Sequence, residues 1–187
     1  TMAWIKDKMV EARAKNIEVL AMMHIGTIEH YTGQKGLEPL ISKATDNAIA
    51  LINSGVRLIF TGHYHANSIV DFTNEGKTLT EIETGSLVTP LSPYRIMTLD
   101  DNFINIDTKR VTEIDMELPG GIDFLTYCNQ LINFRLNEFF VYVLQNMFKI
   151  PEEEALIAAP VCTDALKAYF AGDEKISPAE QLRVDAL

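Results

Sequence analysis

Two short apolar runs separated by a helical stretch constrain this sequence most. The first is Ile17-Glu18-Val19-Leu20-Ala21-Met22-Met23 and the second is Val56-Arg57-Leu58-Ile59-Phe60. Their length and flanking breaks favour buried strands over helices. Between them Leu40, Ala44, Ala48 and Leu51 recur at helical spacing over roughly 39–53, and Ser54-Gly55 stops the helix. Strand, helix, strand at this spacing is a βαβ unit, whose strands run parallel and are buried. A loop over 25–36, carrying Gly26, Gly33 and Gly36, joins the first strand to that helix. An opening helix over 1–15 precedes the unit, with Ile5, Met9 and Ala12 at helical spacing and Thr1 placed to cap it.

After Phe60 the pattern changes. Short strands are expected at 68–72, 78–84, 94–99 and 103–106, with turns at 74–77 and 100–102. This reads as an antiparallel meander. Leu118-Pro119-Gly120-Gly121 is a boundary, and the chain beyond it is helical. The stretch 122–148 is apolar around Leu125, Leu131, Leu136, Phe139 and Val143. Pro151 with Glu152, Glu153 and Glu154 opens a further helix. Pro160 is expected to split that helix, Gly172-Asp173 to end it, and Ser177-Pro178-Ala179-Glu180 to begin a last one. The expected fold class is α/β, with a βαβ unit and meander over 1–118 and a helical appendage over 119–187.

Composition limits the function classes. The chain has 187 residues, 47% of them apolar, and a net charge of −10. It is long enough for a sizeable core. An acidic chain without a Lys/Arg cluster is a poor nucleic-acid scaffold. No run approaches the ~20 apolar residues of a membrane span. Cys128 and Cys162 show neither metal spacing nor a disulfide framework and read as buried free thiols. Thr1-Met2-Ala3-Trp4 has no signal-peptide pattern and opens directly into helix. The chain is therefore expected to be cut from a longer one, and its compartment, cytoplasmic or exported, is not readable.

Histidine is scarce, with four residues, and three of them sit at the ends of the two apolar runs. His24 follows the first run; Gly62-His63-Tyr64-His65 follows the second. In a parallel βαβ unit both strand ends lie on one edge, where open α/β sheets bind their ligands. Topology thus brings three imidazoles together. Neutral imidazole suits Zn, Mn or Fe, and Gly62 is expected to take the unusual backbone angles of a tight loop beneath them. Any one of these histidines alone would be read as structural; the set reads as metal ligands. His30, on the first loop, is a candidate substrate contact or, more simply, a solvated side chain. Asp115, Glu117 and the acidic residues 152–154 read as solvated charges.

The run ending in His24, the helix, and the run into Gly62-His63-Tyr64-His65 resemble the C-terminal half of calcineurin-like metallophosphoesterases. Glu83-Thr84-Gly85-Ser86, Pro93-Tyr94-Arg95 and the opening helix around Trp4 are similar to bacterial members. The likeness covers about 1–107. It implies half of that family's β-sandwich, with His24 and His63 ligating one metal ion and His65 its neighbour. It implies two divalent or trivalent ions, Mn, Fe or Zn, and hydrolysis of small phosphomonoesters or phosphodiesters, cyclic nucleotides among them. Two such ions about 3.5–4 Å apart clamp the attacking and leaving oxygens.

The departure from the family is large. No Asp-x-His and no Asn-His pair occurs, and Gly172-Asp173 is followed at position 176 by Ile rather than Asp. The carboxylates that complete the family's site are expected before Thr1. The chain alone is then expected to bind metal weakly or in part and to hydrolyse poorly. A half-sandwich exposes sheet edge and apolar face, so a homo-oligomer or pairing with the missing N-terminal half is expected. The alternative is a non-catalytic module that self-associates or binds a partner through its helical tail. A structural mononuclear site is disfavoured, since such zinc sites take four protein ligands.

Overall fold

The opening amphipathic segment forms α1 (Met2–Ala14), which buries Met9 and Ala12 and lays Ile5 against the same core. Thr1 holds the N-cap position without a side-chain hydrogen bond. The first apolar run supplies a ladder of only two residues, β1 (Ala21–Met22). A single turn, α2 (Gln34–Leu37), is followed by α3 (Ala44–Ser54) and β2 (Leu58–Thr61). β1 and β2 pair in parallel, Ala21 opposite Ile59 and Met22 opposite Phe60, as the βαβ reading requires, but β1 is not the buried strand expected: it ends the strand order and Met22 is 82% exposed. The computed structural model describes residues 1–31, 34–37, 40–89, 92–100 and 103–172.

α3 starts later than the expected position near 39. Lys43 takes a left-handed conformation, φ 55, immediately before it, and a helix cannot propagate through such a residue. Pro39 lies outside the described residues. The other end is as expected: Gly55, at φ 102, donates its N–H to the carbonyls of Leu51 and Ile52.

β3 (Ser68–Asn74) and β4 (Lys77–Glu83) form an antiparallel hairpin. Its turn residues Glu75 and Gly76 have φ 49 and 71, the positive values that a type I′ turn needs. The hairpin does not continue as a meander. β4 instead pairs in parallel with β2, Leu58 opposite Thr80 through Thr61 opposite Glu83. The result is a mixed four-stranded sheet in the order β1-β2-β4-β3. β5 (Pro93–Leu99) and β6 (Ile104–Arg110) form a separate two-stranded antiparallel sheet. Alternating strand and turn signals are the same for a meander and for two hairpins. Only the tertiary pairing of β4 with β2 tells them apart.

By its internal contacts the chain divides into Thr1–Thr84 and Gly85–Leu187. The composition boundary at 118/119 marks where the helical part begins, after which Pro119–Gly121 forms one 3-10 turn. In the first unit Ala48, Leu51, Ile52, Val56, Ile59 and Leu79 make a continuous buried cluster with Met9 and Ile28. Full burial of each large apolar side chain contributes roughly 1.5–3 kcal/mol.

In the second unit α4 (Phe124–Asn146) packs on α5 (Glu152–Ala171). Asp123 caps α4, accepting from the Thr126 N–H at 2.9 Å and its hydroxyl at 2.7 Å. Pro160 does not split α5, which runs through it. An interior Pro costs about 3 kcal/mol. Ala155, Ala159 and Thr163, buried on one face on both sides of Pro160, hold the helix together across it. Cys128 and Cys162 are free but half-buried, not fully buried. The expected helix start at 177–180 lies outside the described residues. Among those residues the chain is a mixed α/β protein, and no helix is long and apolar enough to cross a membrane.

Candidate functional site

β1, β2 and β4 are mutually parallel, so their carboxyl ends share one edge of the sheet. His24 leaves β1 there and His63 and His65 leave β2. Two backbone bonds extend the strand contact past the ladder: Met23 N–H to the Phe60 carbonyl at 3.0 Å, and Gly62 N–H to the His24 carbonyl at 3.1 Å. These bonds dock the start of one histidine loop on the other. His63 Nδ1 lies 3.2 Å from His24 Nε2, with the rings nearly perpendicular at 82° and their centroids 5.1 Å apart. The His63 ring also makes a T-shaped contact with Tyr64, centroids 5.1 Å apart.

The unusual backbone angles fall on the histidines, contrary to the expectation for Gly62. His63 has φ 85 and His65 has φ 62, whereas Gly62 is not left-handed. A non-glycine residue held this way costs of order 1–3 kcal/mol and persists only where its surroundings enforce it. His65 is half-buried. Burial first, then the neighbouring His63 and His24, hold its imidazole below the ordinary value. That favours the neutral ring, the form that ligates metals.

Beneath the histidines lies a buried polar group that the sequence reading missed. Glu81 and Glu83 are 0% and 1% exposed. Glu81 Oε2 accepts from Thr27 N–H at 2.8 Å, Thr27 Oγ1 at 2.8 Å and Ile28 N–H at 3.2 Å. Its Oε1 lies 3.2 Å from both His30 Nε2 and the Thr61 hydroxyl. Glu83 Oε1 accepts from Tyr64 N–H at 3.0 Å, and the Ala66 N–H is a further donor to this carboxylate. A signal for both was present. Leu79, Glu81 and Glu83 alternate along β4, so they share the face that Leu79 buries.

The two carboxylates differ. Burial pushes Glu81 upward, but hydrogen bonds from His30 and from the Thr27 backbone and hydroxyl outweigh it and leave the group below its ordinary value. For Glu83 burial wins and raises it to about 7, against the opposing pull of His30 and of the Tyr64 and Ala66 N–H groups. Gly26 completes the pocket around Glu81: a Cβ there would lie 2.0 Å from Oε1.

His30 is not a solvated loop residue. Its side chain is 1% exposed, 3.2 Å from Glu81 Oε1 and 3.9 Å from Glu83 Oε2. The structure therefore brings His24 and His63 into contact, sets His65 near them, and buries the His30 side chain against Glu81. Asp115, Glu117 and the acidic residues at 152–154 are exposed, as expected. Among the described residues no group of three or more His, Cys, Asp or Glu side chains is arranged to hold a metal ion. The donor chemistry of the His24–His63 pair fits two ligands of one ion; the rest of a ligand set is not assembled. No protein-family model matches the sequence, and no curated protein is significantly similar to it.

Proposed function

We propose that this chain carries the histidine half of a binuclear, metal-dependent phosphoesterase site of the calcineurin-like type, acting on small phosphomonoesters or phosphodiesters. His24 and His63 would ligate one ion and His65 the second. The observation that carries the reading is the 3.2 Å separation of His24 Nε2 and His63 Nδ1. Two imidazole nitrogens at ~2.0–2.1 Å from one ion stand about 3–3.4 Å apart. Bound there, Zn, Mn or Fe supplies Lewis acidity toward a phosphoryl oxygen. The chain's own part is to present ring nitrogens: Nε2 of the exposed His24, Nδ1 of the half-buried His63, and His65 held toward its neutral form. The family's Asp-x-His and Asn-His motifs do not occur in this sequence, so the chain alone should bind metal in part and hydrolyse slowly.

Calorimetric titration with Zn²⁺ or Mn²⁺ tests this. The chain should bind at least one ion. His24→Ala or His63→Ala should each weaken binding by more than the ~10–100-fold typical of losing an outer partner. Equal binding by the variants and the parent would refute the assignment, and would leave the two rings as a plain N–H···N hydrogen bond.

A second reading rests on α4, the non-catalytic self-association module. α4 has no buried residue. Its Asn129 and Asn133 accept from Lys167, and its Asn137 from Thr163, so a polar stripe faces α5. Leu131, Phe134, Phe139 and Tyr142 are exposed. The occupant this face suits is a second copy of the chain. Arg135 and Glu138 pair with each other at 3.9 Å one turn apart on α4, and this self-complementary charge pair beside the apolar residues suits an isologous contact with a second copy. Light scattering should then give a dimer that Phe139→Ser dissociates; a monomeric parent chain would exclude this reading.

A further inference from the structure

The metal-ligand reading makes no use of Glu81, Glu83 or His30, although burying two carboxylates is expensive. Each ion taken from water costs several kcal/mol even after relaxation. A core serving packing alone would place apolar side chains in phase with Leu79. The cluster is also not a pair of carboxylates satisfying each other: each reaches up to a different histidine loop.

We propose that Glu81 and Glu83, with His30 packed against them, are positioning residues that clamp the two histidine-bearing loops and thereby set the His24–His63 separation. As a statement about metal affinity this rests on the reading above; as a statement about geometry it does not.

Glu81 holds the loop that His24 begins. Three donors from Thr27 and Ile28 converge on its Oε2, and the Thr61 hydroxyl at the end of β2 reaches its Oε1. Gly26 is the only residue type that leaves the carboxylate this close to the loop backbone. Glu83 holds the other loop. Its donors, the N–H groups of Tyr64 and Ala66, bracket His65 and follow His63. Those histidines carry the strained φ values of 85 and 62, so the enforcing bonds fall where enforcement is needed. His30 Nε2 sits 3.2 Å from Glu81 Oε1, its Nδ1 faces Glu83 Oε2 at 3.9 Å without a hydrogen bond, and its backbone N–H is fixed by Gln34 Oε1 at 2.7 Å. Gln34 is 0% exposed, which closes the cluster on its far side.

The test uses the full chain with Glu83→Ala, Glu83→Gln and, as a surface control, Glu75→Gln. The first readout needs no metal: the nuclear Overhauser contact between the His24 and His63 rings, and their ¹⁵N tautomer signature. The second is affinity for Zn²⁺ alone. In the parent and in Glu75→Gln the ring contact should be present. Glu83→Ala should lose it while keeping its circular dichroism, and should bind Zn²⁺ about 10–100-fold more weakly. Glu83→Gln keeps an amide oxygen for the Tyr64 N–H and should restore the ring contact. A folded Glu83→Ala that retains both the contact and the affinity overturns the proposal. So does a Glu83→Gln that folds but lacks the ring contact, since the Tyr64 N–H would then keep an acceptor without the geometry being held. If Glu83→Ala does not fold, retention of the contact in Glu83→Gln supports the clamp and its loss refutes it. A parent chain that binds no Zn²⁺ removes the metal reading, and the ring contact alone then decides the clamp.

Discussion

The units Thr1–Thr84 and Gly85–Leu187 differ in the apolar side chains they bury: large aliphatic residues in the first, and Ala155, Ala159 and Phe170 in the second. In the first, Ile52, Ile59, Leu79 and Ile82 are at most 2% exposed, and among the described residues the buried carboxylates are Glu81 and Glu83, at the sheet edge that carries the histidines. In the second, α4 meets α5 through asparagines, a threonine and a lysine, while Phe134, Phe139 and Tyr142 are more than half exposed. Burial of polar groups therefore does different work in the two. Around Glu81 it is complete and multiply bonded, the pattern of a site that must hold one geometry. Along α4 it is shallow and open to water, so it selects a helix register at little cost.

The comparison predicts its largest contrast in core truncation. Ile52→Ala or Leu79→Ala should cost about 2–5 kcal/mol, since neither site is open enough to collapse freely. Phe139→Ala, at a position 52% exposed, should change folding stability by less than about 0.5 kcal/mol. Urea unfolding followed by circular dichroism measures both. Equal losses would mean that the second unit has a true core around α4, and the contrast would be broken.

The next effect is the response to pH. Glu83 is raised from 4.5 to about 7 in the folded chain, so between those values the folded state holds more protons than the unfolded one. Stability must then fall as pH rises through that window, by up to ~3 kcal/mol, and the penalty is complete above it. Glu81 works in the opposite sense. Its group is held below the ordinary value, so its contribution is present above that value and lost as the solution turns acid. Melting curves between pH 5 and 8 should show the Glu83 slope, and Glu83→Gln should flatten it. No comparable carboxylate is buried among the described residues of the second unit. A slope that survives Glu83→Gln would place its origin elsewhere.

Gly26→Ala comes third. The added Cβ would meet Glu81 Oε1 at 2.0 Å, and that carboxylate cannot swing away without losing its donors. Overpacking of this kind costs roughly 1–3 kcal/mol. The variant should also loosen the His24 loop, seen as faster amide exchange at Thr27 and Ile28. Unchanged exchange there would separate the glycine from the clamp.

The βαβ core was legible because its signals are local. Ala44, Ala48 and Leu51 repeat at helical spacing, Gly55 ends the helix, and two apolar runs flank it. The placement of β4 was not legible. Nothing in residues 77–83 states that their partner is β2 rather than a following strand, and that choice is made by the tertiary packing of Leu79 against α3 and β2. The site was half legible. Strand ends located His24, His63 and His65, but the buried acids were overlooked because acidic residues were read as solvation. Their phase with Leu79 on β4 was the available signal. The continuation of α5 through Pro160 and the left-handed Lys43 before α3 were hidden for the same reason as β4: each depends on what the neighbouring element offers.

The smallest effect is expected between the two helices. Lys167 Nζ donates to Asn129 Oδ1 at 2.7 Å and Asn133 Oδ1 at 2.8 Å, and lies 4.0 Å from Asp164. Lys167→Met keeps the apolar stem and removes the charge and its donors. Asn129 is exposed and Asn133 only half-buried, so water can replace the lost donors on both oxygens. The net loss should be about 1 kcal/mol, the ordinary worth of an intramolecular hydrogen bond. Thr163→Val, at a hydroxyl 2.6 Å from Asn137 Oδ1, should cost more than Lys167→Met, because Thr163 is only 1% exposed and water cannot take its place as easily. If Lys167→Met instead cost over ~3 kcal/mol, the range for breaking a buried charge pair, the ladder would be as closed as the Glu81 cluster. The two units would then differ in which residues they bury but not in how tightly polar groups are held.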